Sequence, residues 1–148
     1  MRVAAAAAAV LAAAAVGCGS ASSAPADTAA TGAQPATSLT ITFWPEGRDA
    51  GAKKRWTLRC GPAGGTHPQR VAACRKLAAA RRPFAPVPPD VVCIQLYGGP
   101  QQALVTGTHR GARVHAAFGL RDGCQIERFK RVAFLVPGFS VGAGGATS

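Results

Sequence analysis

Between residues 39 and 136 apolar and polar positions alternate in several short stretches, and that period of two predicts an antiparallel sheet. Leu39 to Phe43 reads Leu-Thr-Ile-Thr-Phe, the pattern of a half-buried strand. Arg55 to Cys60 alternates again, with Trp56 and Leu58 on one face. Ala103 to Thr108 and Ala112 to Phe118 predict two strands joined by a tight His109-Arg110-Gly111 hairpin. Val91 to Tyr97 reads as extended, and Val132 to Val136 as a final apolar strand. The period changes once in the middle. Val71, Cys74, Leu77 and Ala78 recur at helical spacing after the start signal Thr66 and Pro68, and the helix should end near Arg82, before Pro83. Gln125 to Arg131 predicts a second, short helix. Glycines and prolines mark turns at Gly61 to Gly65, at Gly98-Gly99-Pro100 and at Asp122-Gly123, and Pro83 to Pro89 should be extended. The class these pieces predict is α+β: an antiparallel sheet with one main and one short helix.

Before residue 39 the pattern disappears. That segment is nearly all Ala, Gly, Ser, Thr and Pro, with Arg2 and Asp27 as its charges. Met1-Arg2 is a short positive start, and Val3 to Val16 is an unbroken apolar run, too short for an ordinary membrane span. It reads as an export signal. The run closes on Ala15-Val16-Gly17-Cys18, which resembles the lipobox of bacterial lipoproteins. That resemblance implies a diacylated Cys18 as the mature N-terminus; the alternative is a plain secretory signal cut between Ser20 and Ala26. The expected organisation is a signal peptide over 1–17, a disordered Ala/Ser/Thr/Pro tether over 18–38, one domain over 39–137 and a flexible tail over 138–148. The expected location is secreted, lipid-anchored on the extracellular face of the cell membrane.

Charge adds a constraint on partners. The chain holds 17 Lys and Arg against 6 Asp and Glu, and the region from residue 39 onward carries 16 − 5 = +11 by itself. Such a surface attracts anions. Nucleic acid is not expected as a partner, since no recognition motif is present and Trp44, Trp56 and Tyr97 form no aromatic ladder. The Arg128-Phe129-Lys130-Arg131 cluster reads as a solvated helix face.

Setting Cys18 aside leaves Cys60, Cys74, Cys93 and Cys124. An exported protein favours disulfides, and four cysteines allow three pairings. Sequential pairing, Cys60 with Cys74 and Cys93 with Cys124, closes the shortest loops and would stabilise by roughly 3 and 4 kcal/mol. A zinc site is the alternative, but the spacings hold no Cys-x-x-Cys pair, and His67, His109 and His115 fall in turn or strand contexts. Nothing points to an enzyme or a cofactor: Asp90, Asp122 and Glu127 are scattered, and no nucleophile elbow, phosphate loop or zinc-protease motif occurs.

The order of the pieces resembles the subtilisin-inhibitor-like family. Carrying the resemblance are Trp56-Thr57-Leu58-Arg59-Cys60, Gly64-Gly65-Thr66-His67-Pro68, Ala72-Ala73-Cys74 with Leu77-Ala78, Val92-Cys93 through Tyr97 and Pro100, Gly111, and Gly123-Cys124. The resemblance implies a five-stranded antiparallel sheet with two helices, the sequential disulfides, and in many members a homodimer formed through the sheet. It implies no catalysis, with His67 structural. It also implies one exposed loop presented to a subtilisin-like serine protease. Carried over residue by residue, Cys93 is P3, Ile94 P2, Gln95 P1, Leu96 P1′ and Tyr97 P2′, so the scissile bond is Gln95–Leu96. Four features depart from the usual pattern: a P1 Gln95 that is neither basic nor large and apolar, Gly98-Gly99 before Pro100 where the family has one Asp, a P2 Ile94 where the family often has a small residue or Pro, and His109 where the family often has a hairpin Trp used in dimer contact. The second functional reading is an inhibitor-fold lipoprotein that binds an envelope or extracellular partner without blocking a protease. A third possibility for Val91 to Tyr97 is a plain core strand, with Ile94 and Leu96 on one face.

Overall fold

The computed structural model describes residues 36–141. The signal peptide, Cys18, most of the tether and the end of the tail lie outside the described residues. Four strands form one antiparallel sheet: β1 (Thr37–Trp44), β2 (Lys54–Cys60), β3 (Gln102–His109) and β4 (Ala112–Phe118), in the order β2-β1-β3-β4. The period-two pattern is the reason. Leu39, Ile41 and Phe43 of β1 stand beside Leu58 and Trp56 of β2 and beside Val105 and Ala103 of β3. With Val114, Ala116 and Phe118 of β4 they make one apolar face. The opposite face carries Thr40, Thr57, Thr106 and other polar side chains. Four strands stand among the described residues where five were expected. Val132 to Val136 is not a strand; Ala133–Leu135 is a turn of 3-10 helix that buries Val132, Leu135 and Val136. A short apolar run satisfies either geometry, and here burial at a spacing of three decides it.

Two helices cover the apolar face. The first, α1 (Arg70–Ala79), buries Ala73 and Leu77, while Val71, expected on the inner stripe, is 65 % exposed. The second, α2 (Gly123–Lys130), starts where Asp122 accepts the Gln125 N–H at 2.9 Å, and it buries Ile126 and Phe129. Phe139 lies 4.8 Å from Phe129 and 5.1 Å from Phe43, centroid to centroid, and Val141 also meets the core. The apolar body therefore runs past residue 137, and Thr37 and Ser38, expected in the tether, already pair in β1.

Both disulfides follow the sequential pairing, Cys60–Cys74 and Cys93–Cys124. The first sits in a dense frame. Thr57 N–H donates to Thr66 Oγ1 at 2.9 Å, and Thr66 N–H donates to Thr57 Oγ1 at 3.1 Å. Arg59 and Gly64 exchange backbone bonds at 2.9 Å each, and His67 N–H reaches Thr57 O at 3.0 Å. Gly65, at φ +97°, is the only residue type that fits: a Cβ there would stand 2.3 Å from Thr57 O. His67 is fully buried behind this turn, its Nδ1 accepting the Gln69 N–H at 3.2 Å. Burial holds its pKa below the ordinary histidine value, and the backbone of Leu135 and Phe134 offsets only part of that. The residue is a structural one.

Candidate functional site

Between α1 and β3 the chain runs from Ala80 to Gln101 without regular structure. Its prolines explain this. Pro83, Pro86, Pro88 and Pro89 carry no N–H to donate to a ladder, so the segment cannot extend the sheet. The extended stretch expected over Val91 to Tyr97 has no strand partner, and a core strand is ruled out by exposure. Of the six large apolar side chains exposed among the described residues, five are Val91, Val92, Ile94, Leu96 and Tyr97. Val92 is 96 % exposed, and Ile94 and Tyr97 are 70 % each. An apolar cluster of this kind in water marks a surface for a partner.

The backbone turns within this cluster. Leu96 N–H donates to Ile94 O at 3.0 Å, closing a three-residue turn with the exposed Gln95 at its apex. Both flanks of the apex are fastened to the body. On the N-terminal side the Cys93–Cys124 disulfide ties the chain to α2, and Gly123 N–H donates to Ile94 O at 3.0 Å. On the C-terminal side Gly98 N–H donates to Leu120 O at 2.7 Å. Gly123 packs closely on the loop: a Cβ on it would come within 2.5 Å of Ile94 Cγ1, so the Ile94 side chain would have to move. Beside the turn, a groove of about 470 Å³ runs between the proline-rich segment and α2, with Pro86, Val91, Ile94 and Ile126 among its walls.

A further tie enters from α2. Arg128 is only 9 % exposed, unlike the solvated cation expected from the basic cluster around it, and Phe129 beside it is fully buried. Its Nε donates to Ala85 O at 2.7 Å, and its Nη1 donates to Ala117 O of β4 at 2.5 Å. The guanidinium lies 4.3 Å over the Phe118 ring. Burial, with a smaller contribution from Arg131, lowers its pKa from the ordinary guanidinium value. Sequence pattern read Arg128 as a solvated cation and Gly98 as a turn residue, and did not single out Leu120. The available signal was indirect: a proline-dense segment keeps its carbonyls while losing N–H groups, so it needs donors from elsewhere.

The remaining candidates fall into place. The sulfurs of Cys93 and Cys124 and a carboxylate oxygen of Asp122 lie within 4.8 Å of one another, but both sulfurs are consumed by the disulfide and leave no thiolate for a metal. His109 is part-buried, 5.5 Å edge-on to Phe84, with its Nδ1 3.0 Å from Thr37 Oγ1; burial and Arg110 hold its pKa down. Asp122 and Glu127 are held in local ion pairs, with Arg121 at 3.4 Å and with Lys130 at 2.7 Å, and form no carboxylate pair.

The sequence model of the subtilisin inhibitor-like family matches residues 33–118. Subtilisin inhibitor-like protein 1 of Streptomyces cacaoi is 35 % identical over 85 residues, covering 54 % of this chain and 76 % of that protein. Streptomyces caespitosus sermetstatin, solved in complex with Bacillus licheniformis subtilisin, is 26 % identical, with a TM-score of 0.45 over 70 % of this chain and 99 % of that one.

Proposed function

The chain belongs to the subtilisin inhibitor-like family, whose members are inhibitors and not enzymes, and from that premise we propose that it inhibits a subtilisin-like serine protease through Gln95–Leu96. The observation that carries the reading is the apolar cluster from Val91 to Tyr97, exposed around a turn whose apex is Gln95 and fastened on both flanks. Ile94, Gln95 and Leu96 enter the protease cleft as P2, P1 and P1′. Backbone pairing with the protease supplies affinity, and the tied flanks lower the entropy lost on binding.

The chemistry is that of a substrate which is slow to leave. The protease serine oxygen attacks the Gln95 carbonyl carbon, and its proton passes through the protease histidine to the Leu96 nitrogen as the amide bond breaks. An ordinary substrate then loses its amine product. Here the Leu96 amine stays beside the acyl group, because Gly98 is bonded to Leu120 and Cys93 to Cys124. Attack of that amine on the ester re-forms the peptide bond and returns the serine hydroxyl, ahead of water. Gln95 suits a broad, shallow S1 pocket. A trypsin-type pocket would be left with an unpaired buried acid.

Titrating subtilisin with the purified chain tests this. Stoichiometric loss of protease activity is expected, with mass spectrometry finding a single cut between Gln95 and Leu96 at long times. Rapid, complete digestion with protease activity intact would reject it.

The same reading places the inhibitor on the outer face of the membrane, held by acylated Cys18. The two disulfides account for four of the five cysteines, and Cys18 follows an export-type apolar run. Labelled fatty acid should enter the parent chain and not Cys18→Ser. Equal labelling of both would remove the anchor.

A further inference from the structure

Arg128 has a position that needs explaining. It is a buried cation, and no carboxylate among the described residues reaches it: Glu127, its neighbour in sequence, pairs with Lys130. Such a charge is costly to bury unless its hydrogen-bonding capacity is used. Here it is used. Nε donates to Ala85 O at 2.7 Å; Nη1 reaches Ala117 O at 2.5 Å and Gln125 Oε1 at 3.5 Å; Nη2 reaches Phe84 O at 3.5 Å. One planar fork therefore joins the end of β4, helix α2 and the proline-rich segment.

The placement matters because of what lies at each end. Phe84 and Ala85 begin the segment that leads to Gln95, ten residues on. Helix α2 holds the far end of that same segment through Cys124 and the Gly123 N–H. Without Arg128 the hydrogen bonds recorded for the approach from Pro83 to Val92 are two local ones, Ala85 N–H to Arg82 O at 3.1 Å and Val91 N–H to Pro88 O at 3.4 Å, and neither reaches the body.

We infer that Arg128 is a positioning residue for the reactive loop: by fixing Phe84 and Ala85 to the base of α2 and to β4, it keeps the approach in register with the Cys93 anchor, so that a cut Gln95–Leu96 bond is rejoined rather than hydrolysed. The inference rests on the reading of Gln95–Leu96 as the scissile bond. Arg128→Met keeps an apolar stem over Phe118 and removes every donor. Arg128→Lys keeps the charge but has no planar fork to bridge the carbonyls on both sides.

The test uses the full chain and both variants, with amide hydrogen exchange and inhibition of subtilisin measured at a temperature where each is folded. In Arg128→Met, exchange of the hydrogen-bonded amides in residues 84–97, those of Ala85, Val91 and Leu96, should rise on the order of tenfold while the sheet strands stay protected, and the cut at Gln95–Leu96 should accumulate faster by a similar factor. Arg128→Lys should lie between parent and Arg128→Met, and it replaces that variant in the test should the latter not fold. A role in general stability alone would loosen loop and sheet together and leave the cutting rate per bound complex unchanged; that outcome overturns the inference. A parent chain that does not inhibit defeats the proposed function instead. The exchange pattern then still decides Arg128, and unchanged exchange in 84–97 removes it.

Discussion

The two disulfides staple segments of the same domain, yet they sit in opposite surroundings. Cys60–Cys74 closes a joint that is already held by five backbone and threonine bonds within 3.1 Å, by a glycine no other residue can replace and by a buried histidine. Cys93–Cys124 closes a long loop in which proline excludes a ladder, and its helpers are two glycine N–H bonds and one arginine. The same covalent bond does different things in the two places. In the dense frame it adds stability to a geometry that other forces also specify. In the sparse one it supplies much of the geometry itself.

Breaking each bond in turn should expose that contrast most strongly. Replacing Cys93 and Cys124 together by alanine should cost about 4 kcal/mol in denaturant unfolding and turn the loop into a substrate, with inhibition weakened roughly a hundredfold or more. The double alanine replacement at Cys60 and Cys74 should cost about 3 kcal/mol and leave inhibition of subtilisin within about twofold while the domain is folded. Equal losses of inhibition from the two pairs would erase the distinction.

The glycines sharpen the same contrast at smaller scale. Gly65→Ala forces a Cβ to 2.3 Å from Thr57 O at a φ of +97°, and should lower stability by about 1–3 kcal/mol with inhibition unchanged. Gly123→Ala drives a Cβ to 2.5 Å from Ile94 Cγ1 at the loop, and should cost about 1–3 kcal/mol while also weakening inhibition. Thermal melts and inhibition constants on the pair separate the outcomes.

Gln95→Met addresses the exposed apex alone. Filling an apolar S1 pocket should tighten inhibition of subtilisin about tenfold, with an unchanged melting temperature because the side chain at 95 is exposed. No change in affinity would mean that Gln95 does not occupy the pocket.

The smallest effect belongs to pH. His67 has a folded pKa below its unfolded value, because burial disfavours the charged ring. The unfolded chain then binds the extra proton as pH falls through about 6.5, so stability is constant above that and declines below it. His109 shifts in the same direction, so melts from pH 8 to pH 5 should be run on His109→Gln and on the parent. A residual decline in His109→Gln assigns the remainder to His67; a melting temperature flat with pH contradicts the assignment.

Strand alternation made most of the fold readable. Leu39, Ile41, Phe43 and Leu58 face the core as their period requires, and the hairpin at His109-Arg110-Gly111 lies where its turn residues put it. Reading stopped where local pattern and tertiary context part. Val132 to Val136 is apolar enough for a strand, but helical spacing of its buried residues won. Arg128 looked solvated from its charged neighbours, since no periodicity reports that Phe84 and Ala85 hold carbonyls in want of a donor. The loop's position followed from cysteines and prolines; its anchors did not, because Gly98 and Gly123 act through backbone groups that every residue but proline shares.

That last fact has a bearing on how such a protein changes over generations. The contacts that hold the turn are a disulfide and main-chain bonds from Ile94, Gly98, Leu120 and Gly123, while Gln95, Leu96 and Tyr97 direct their side chains to solvent. Substitutions at those three positions cost the fold almost nothing. On the proposed reading, selection can rewrite the recognition sequence as the opposing enzyme drifts, one codon at a time, with the scaffold untouched.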